Sequence, residues 1–363
     1  MEDIKIYCEN DASYHSFPMG TDLKCISAAV CPSVPCKKGS DKTEVLAALV
    51  DNQLKELSFK VMATHNVRFV GYDHPDGRRT YIRSLCFVLQ NVIREKYPDK
   101  VLVIDYSLPS GLYCEIREKE ELYDGRPKVY FATDDEIEAI QSRMDEIIAA
   151  DIPFIKSKKC LNEAVSLFTA NGQKEKVNLA RSLGRLTYSV YSLDGQYDTF
   201  YGPLVPSTGC LRTFDLIGFN NGFCLQYPMD GNPDKVLPLK RQSKLANALK
   251  EHSDWCSIMD VKGVGSLNQA VRDGKIIDLI NLSEALHERK YADIADMIYS
   301  RRGTVKIVFI AGPSSSGKTS TSKRLAIQCR ILGLNPKVIE LDNYFVDREF
   351  TPRDENGEYD FEA

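Results

Sequence analysis

The stretch VFIAGPSSSGKTSTSKRL at 308–325 constrains this chain more than any other, because an apolar run, a glycine-bounded loop and a helix-like segment follow one another. Within it, loop 312–319 fits G-x-x-x-x-G-K-[ST] at every fixed position. Glycines let the backbone wrap a polyphosphate, so that consecutive N–H groups and the following helix N-terminus face the anion. Gly312, Pro313, Ser314, Ser315, Ser316, Gly317, Lys318 and Thr319, with Ser320 behind them, therefore form the expected nucleotide site. Lys318 supplies a point charge to the β and γ phosphates of ATP, and the Thr319 hydroxyl can ligate Mg²⁺. The context agrees: VKIVFI at 305–310 reads as a buried parallel strand, and 320–332 as a helix closed by Gly333.

A second strand is expected over 337–341, ending at Asp342. Ligands gather at the carboxyl ends of strands in open parallel sheets, so Asp342 should share an edge with the loop, there to accept a proton or hold Mg²⁺. GPSSSGKT, then VIELDNYF, then GEYDFE together resemble the uridine kinase and phosphoribulokinase group of P-loop kinases over about residues 304–363. That resemblance implies transfer of the ATP γ-phosphate to a nucleoside, uridine or cytidine, with Lys318 and Asp342 as catalytic residues. It further implies Phe345 and Tyr359 beside the base and Asp360 on the ribose hydroxyls. The lid arginines of such kinases would lie beyond Ala363, so the chain is expected to be a fragment, inactive unaided. Two rivals stand beside this expectation: a nucleotide-sensing RNA-binding or regulatory protein, and a P-loop kinase of a sugar phosphate.

About 300 residues precede the loop, and a chain of 363 residues suggests two or three domains. Residues 1–70 mix strand-like IKIY, helix-compatible VLAAL at 45–49 and strand-like VRFV. After a turn at 73–79, apolar residues at helical spacing run to Pro98, strands are expected at 101–104, 112–116 and 187–191, and FNNGF predicts a hairpin on an Asn-Gly turn. Thr133 and Glu136 form a capping box before a helix carrying Ile137, Ile140, Met144, Ile147 and Ile148. Residues 226–300 read as a helical connector with Ser266 and Ser283 as candidate N-caps.

In order, AALVDNQLKEL, YIRSLCF, SGLYCE, TDDEIEAI and FYGPLVPSTG resemble the N-terminal part of threonyl-tRNA synthetase, a ubiquitin-like TGS domain followed by an editing domain. The resemblance implies α+β domains at 1–70 and 71–225, ahead of an α/β P-loop domain from 301. In that family a His-x-x-x-His and a Cys-x-x-x-His pair line the editing pocket. Here those positions hold Arg83, Phe87, Phe200 and Leu204, none of which can act as a base at neutral pH, so editing-type hydrolysis is not expected. The five histidines are scattered and read as surface or capping residues.

Composition bounds the rest. Net charge is −4 and neither the part to residue 225 nor the remainder is basic in excess, so any RNA or tRNA contact through 1–225 is expected to be weak. No apolar run approaches the ~18 residues of a membrane span and the N-terminus lacks a signal-peptide pattern, which makes a cytoplasmic location the expectation and leaves oligomerisation open. Eleven cysteines without a CxxC pair offer no zinc site.

Overall fold

The computed structural model describes residues 3–35, 42–121, 127–228, 233–344, 346–355 and 357–360. It divides into two compact units, Met1–Arg272 and Asp273–Ala363.

The first unit opens with β1 (Asp3–Cys8), β2 (Ser13–Pro18), α1 (Leu23–Val30), β3 (Ser33–Pro35), β4 (Lys42–Glu44), β5 (Ala47–Val50), β6 (Gln53–Lys55) and β7 (His65–Val70). A five-stranded sheet runs β2-β1-β7-β5-β6, with β1 parallel to β7 and the other pairs antiparallel. Alternation in β1 sends Ile4, Ile6 and Cys8 inward, where Leu23 and Ile26 of α1 meet them with Val67 and Phe69. The Asp22 carboxylate accepts from the Cys25 amide at 2.8 Å and starts α1. The apolar run at 45–49, helix-compatible by composition, is instead strand: a short run cannot separate the two periods, and pairing of Ala47–Val50 with β7 decides it.

Next come α2 (Pro75–Lys96), β8 (Lys100–Leu108), β9 (Gly111–Glu121), β10 (Pro127–Tyr130) and α3 (Asp134–Ala149). They are followed by β11 (Ile155–Cys160), α4 (Leu161–Ala170), α5 (Lys174–Leu183), β12 (Thr187–Leu193), β13 (Gln196–Asp198), β14 (Asp215–Phe219) and β15 (Gly222–Gln226). One antiparallel sheet runs β10-β9-β15-β14 with β8 on the other side of β9; a second runs β11-β12-β13. The core lies where Leu85, Leu89 and Val92 of α2 meet Ile140 and Met144 of α3 and Phe223 and Leu225 of β15. The capping box of α3 forms as expected, Glu136 accepting from the Thr133 amide at 2.8 Å. The hairpin turn is Asn220-Asn221, one residue earlier than expected, with Asn220 at φ 52° and Phe219 opposite Gly222. Gly222 serves a different need, since a Cβ there would lie 2.1 Å from the Cys114 carbonyl oxygen.

The N-cap of α2 is His74, whose Nδ1 accepts from the Asp76 amide at 3.2 Å. Burial, its largest influence, holds this imidazole below its ordinary value, outweighing nearby Asp76. A histidine depressed in the folded state contributes its stability in full above the unfolded value near 6.5 and loses it as pH falls through that value toward the folded one. The unfolding midpoint is therefore expected to drop between pH 7.5 and 5, and the drop to shrink in His74→Asn, which keeps a capping acceptor without a titrating ring. An equal drop in that variant would remove His74 from the effect.

The chain continues with α6 (Ser243–Ile258), α7 (Val264–Arg272), α8 (Ile276–Ser300) and α9 (Lys318–Ile331). Neither candidate serine is an N-cap: Ser266 is the third residue of α7, its hydroxyl accepting from the Gly263 amide just before the helix, and Ser283 lies inside α8 and bonds back to the Leu279 carbonyl. In the second unit Ala295 of α8 packs against Leu325 and Cys329 of α9, and Arg324 pairs with Glu288 at 2.8 Å. The parallel sheet expected there is not formed. Neither 305–310 nor 337–340 is strand, and Phe309 is 87% exposed and Ile339 68%. A parallel pair needs flanking strands and cover on both faces, and among the described residues of this unit no strand pairs with either segment.

Candidate functional site

Two places carry the sequence-predicted chemistry. In the first, loop 312–319 wraps back on the start of α9. Ser315 and Gly317 take positive φ, 60° and 82°, and Gly317 is the N-cap. A Cβ on Gly312 would come within 2.6 Å of the Ser316 hydroxyl, so that glycine is required by close approach. The Lys318 ammonium donates to the carbonyls of Gly312 (2.8 Å) and Pro313 (2.9 Å), folding over the loop. The first turn of α9 holds no acidic residue, and Gly317 gives it no side-chain cap, so its leading N–H groups are left for an anion. Ser314, Thr319 and Ser320 are exposed around this turn.

The other residues assigned by the kinase resemblance lie on the segment that follows Glu340, whose carboxylate pairs with Lys323 of α9 at 3.5 Å. Asp342 lies in a short 3₁₀ turn (Leu341–Tyr344), exposed, with no hydrogen bond or ion pair among the described residues. Tyr359 is covered by the Arg353 guanidinium, 4.3 Å from its ring centroid, and the Asp360 amide donates to the Pro352 carbonyl at 2.8 Å. Phe345 lies outside the described residues. Without a strand at 337–340, nothing carries Asp342 to a shared sheet edge.

The second place is the editing-like pocket, where the structure does bring Arg83, Phe87, Phe200 and Leu204 together. Arg83 and Phe87 are one turn apart on α2, while Phe200 and Leu204 arrive on the segment after β13. Phe87 is fully buried, its ring centroid 5.2 Å from Phe200 and 5.9 Å from Phe154; Leu204 is buried in the same cluster. Arg83 turns aside, donating through Nε (3.2 Å) and Nη2 (3.0 Å) to the Pro203 carbonyl and through Nη2 to the Thr80 hydroxyl. Gly202 makes room for it, since a Cβ there would sit 2.8 Å from the guanidinium carbon. Aromatic and aliphatic carbon thus fills the space between these positions. No thiolate replaces the missing groups: burial pushes Cys86 and Cys210 up to about 12. Among the described residues no group of three or more metal-ligating side chains converges.

Beside this pocket stands a cluster that the sequence did not disclose. The Asp198 carboxylate, wholly buried, accepts from Arg94 (3.0 Å), Gln173 (2.8 Å), its neighbour's Thr199 amide (2.6 Å) and Lys176, whose ammonium also lies 5.6 Å from the Phe200 ring centroid. Burial, more than Asp198 opposes, pulls Lys176 below its ordinary value. Positions 94, 173, 176 and 198 share no spacing that would couple them on paper.

No family model matches the chain. It is similar to the threonine-tRNA ligase of Francisella tularensis subsp. holarctica, strain OSU18, with 22% identity over 76% of this chain and 39% of the ligase. The threonine-tRNA ligase of Carboxydothermus hydrogenoformans is 25% identical over 50% of this chain and 27% of its own length. The chain thus spans less than half the length of these relatives. This similarity, and the unformed sheet around Asp342, overturn the kinase expectation in both its nucleoside and sugar-phosphate forms. Among the described residues no helix is long and apolar enough to cross a membrane. A distant relationship to threonine-tRNA ligases, on an α+β framework of mixed sheets, is what the chain carries.

Proposed function

We propose that this chain is a regulatory scaffold of tRNA-synthetase descent: it contacts RNA weakly through residues 1–225 and binds the phosphates of ATP at loop 312–319, without hydrolysing an aminoacyl ester. One observation carries the reading. The described residues of the first unit form an α+β framework, while the positions that the resemblance assigns to editing are filled by Phe87, Phe154, Phe200 and Leu204. A framework kept without its chemistry still offers a surface, and the similarity to tRNA ligases makes RNA the partner that surface suits. At the loop, Lys318 would exchange its carbonyl partners for phosphate oxygens and Thr319 would face Mg²⁺, both in reach of the free amides of α9.

Binding of tRNA, with and without ATP and Mg²⁺, tests this directly. Binding should weaken steeply between 50 and 200 mM salt, as for any contact made through phosphates. Added ATP should change the affinity in the intact chain and not in Lys318→Ala. That variant should bind ATP about 10–100-fold more weakly, the loss of one charge-assisted contact. Unchanged ATP affinity in Lys318→Ala would take the loop out of the proposal, and absence of any tRNA binding at 50 mM salt would end the RNA reading.

A further inference from the structure

The even charge balance of residues 226–363 conceals a local excess. The stretch KVLPLKRQSK at 235–244 holds Lys235, Lys240, Arg241 and Lys244 and no Asp or Glu, in a chain whose net charge is −4. It leads from β15 into α6, within the first unit.

The backbone of this strip is fastened while its cations are not. Val236 forms an isolated antiparallel bridge with Pro228, and Gln226 Nε2 of β15 donates to the Leu237 carbonyl at 2.8 Å. Leu239 packs on the buried cluster of Leu108, Tyr113 and Phe219, and the Lys240 amide donates to the Ser110 hydroxyl at 3.4 Å. All four cationic side chains are exposed, and among the described residues none donates a hydrogen bond or meets a carboxylate within ion-pair distance. A solvated face ordinarily mixes both signs of charge; this one carries only the positive sign, and no contact within the fold uses it. A backbone already held in place loses little freedom when a ligand takes its side chains.

We infer that residues 235–244 form a contact for the phosphate backbone of RNA, centred on Lys240, Arg241 and Lys244. The inference rests on the RNA reading above and adds to it a cationic element beyond residues 1–225, which hold no basic excess. Uncompensated cations attract phosphates without reading sequence, because each contact releases a condensed counterion. Arg241 can grip one phosphate through two N–H groups, and the lysines beside it act as point charges. Elsewhere the negative balance of the chain repels the same backbone, which restricts the contact to this strip.

Titration of the full chain with tRNA, and separately with phosphatidylserine vesicles, between about 50 and 200 mM salt tests the strip. The triple variant Lys240→Gln, Arg241→Gln, Lys244→Gln should bind tRNA about 10–100-fold more weakly at low salt. Its plot of log affinity against log salt should be shallower by about 2–3, the share of three phosphate contacts. The charge-keeping variant Lys240→Arg, Arg241→Lys, Lys244→Arg should bind as the parent does. Lys275→Gln, Arg289→Gln, Arg301→Gln removes three exposed cations from the second unit and should keep the parent's slope. An equal loss in that control would mean that net charge and not this strip governs binding, and would overturn the inference. Parent-like affinity and slope in the first variant would overturn it while leaving the RNA reading standing, whereas absence of tRNA binding by the parent would end both. Vesicle binding that the first variant loses, with its tRNA affinity intact, would assign the strip to a membrane surface instead.

Discussion

Asp198→Ala is expected to destabilise the first unit by about 3–5 kcal/mol. The carboxylate is wholly buried and gathers Arg94 of α2, Gln173 and Lys176 at the start of α5 and the Thr199 amide, so it ties two helices to the end of β13. Its removal leaves the Arg94 guanidinium, largely buried, and the partly exposed Lys176 ammonium without their shared counter-charge, and the cost is that of uncompensated charge in a partly buried place. The pH dependence follows from Lys176. Its folded value is already depressed by burial and by Arg94, and without Asp198 the one large opposing influence disappears. A lysine depressed in the folded state penalises folding while charged, and that penalty fades as pH rises toward the unfolded value near 10.5. Urea melts should therefore show a smaller deficit for Asp198→Ala at pH 10 than at pH 7. Asp198→Asn, which keeps the shape and some acceptor capacity, should lose less at both. A deficit under about 1 kcal/mol at pH 7, the scale of an exposed ion pair, would show that the cluster does not hold the helices.

The elements legible in the sequence are those specified by local rules. The capping box at Thr133 and Glu136, the apolar stripe of α3 and the strands at β1, β7, β8 and β12 each follow from a periodicity or cap within a few residues. So does the turn before α9, where Gly317 takes the left-handed conformation expected of a glycine there. Misreadings arise where distant partners decide. Residues 47–50 become a strand because β7 lies beside them, and 305–310 and 337–340 remain non-strand because no neighbour pairs with them. Asp342 is expected at a sheet edge, and no strand at 337–340 carries it there. The Asp198 cluster could not be read at all, since it joins residues tens of positions apart through contacts that only folding creates.

The emptied chemistry of the editing-like pocket leads to the second large effect, a stability cost of about 3–5 kcal/mol for Phe87→Ala. Phe87 is fully buried between Phe154 and Phe200 and sits in the cluster that joins α2 to α3 and β15. Truncation leaves a void walled by two rings fixed on separate segments, so little collapse can relieve it. Phe87→His should be comparably costly, because a smaller ring with two polar nitrogens enters a space lined with carbon. Putting back the residues of the ligase family at all four positions, His at 83 and 87, Cys at 200 and His at 204, separates packing from chemistry. If the scaffold keeps the family's backbone geometry, that variant should be less stable than the parent yet gain measurable deacylation of mischarged tRNA, whereas the parent chain shows none. Deacylation by the parent above the uncatalysed rate would overturn the reading that Arg83, Phe87, Phe200 and Leu204 leave the pocket without a base. Unchanged stability in Phe87→Ala would mean instead that the pocket is loosely packed and still open to a ligand.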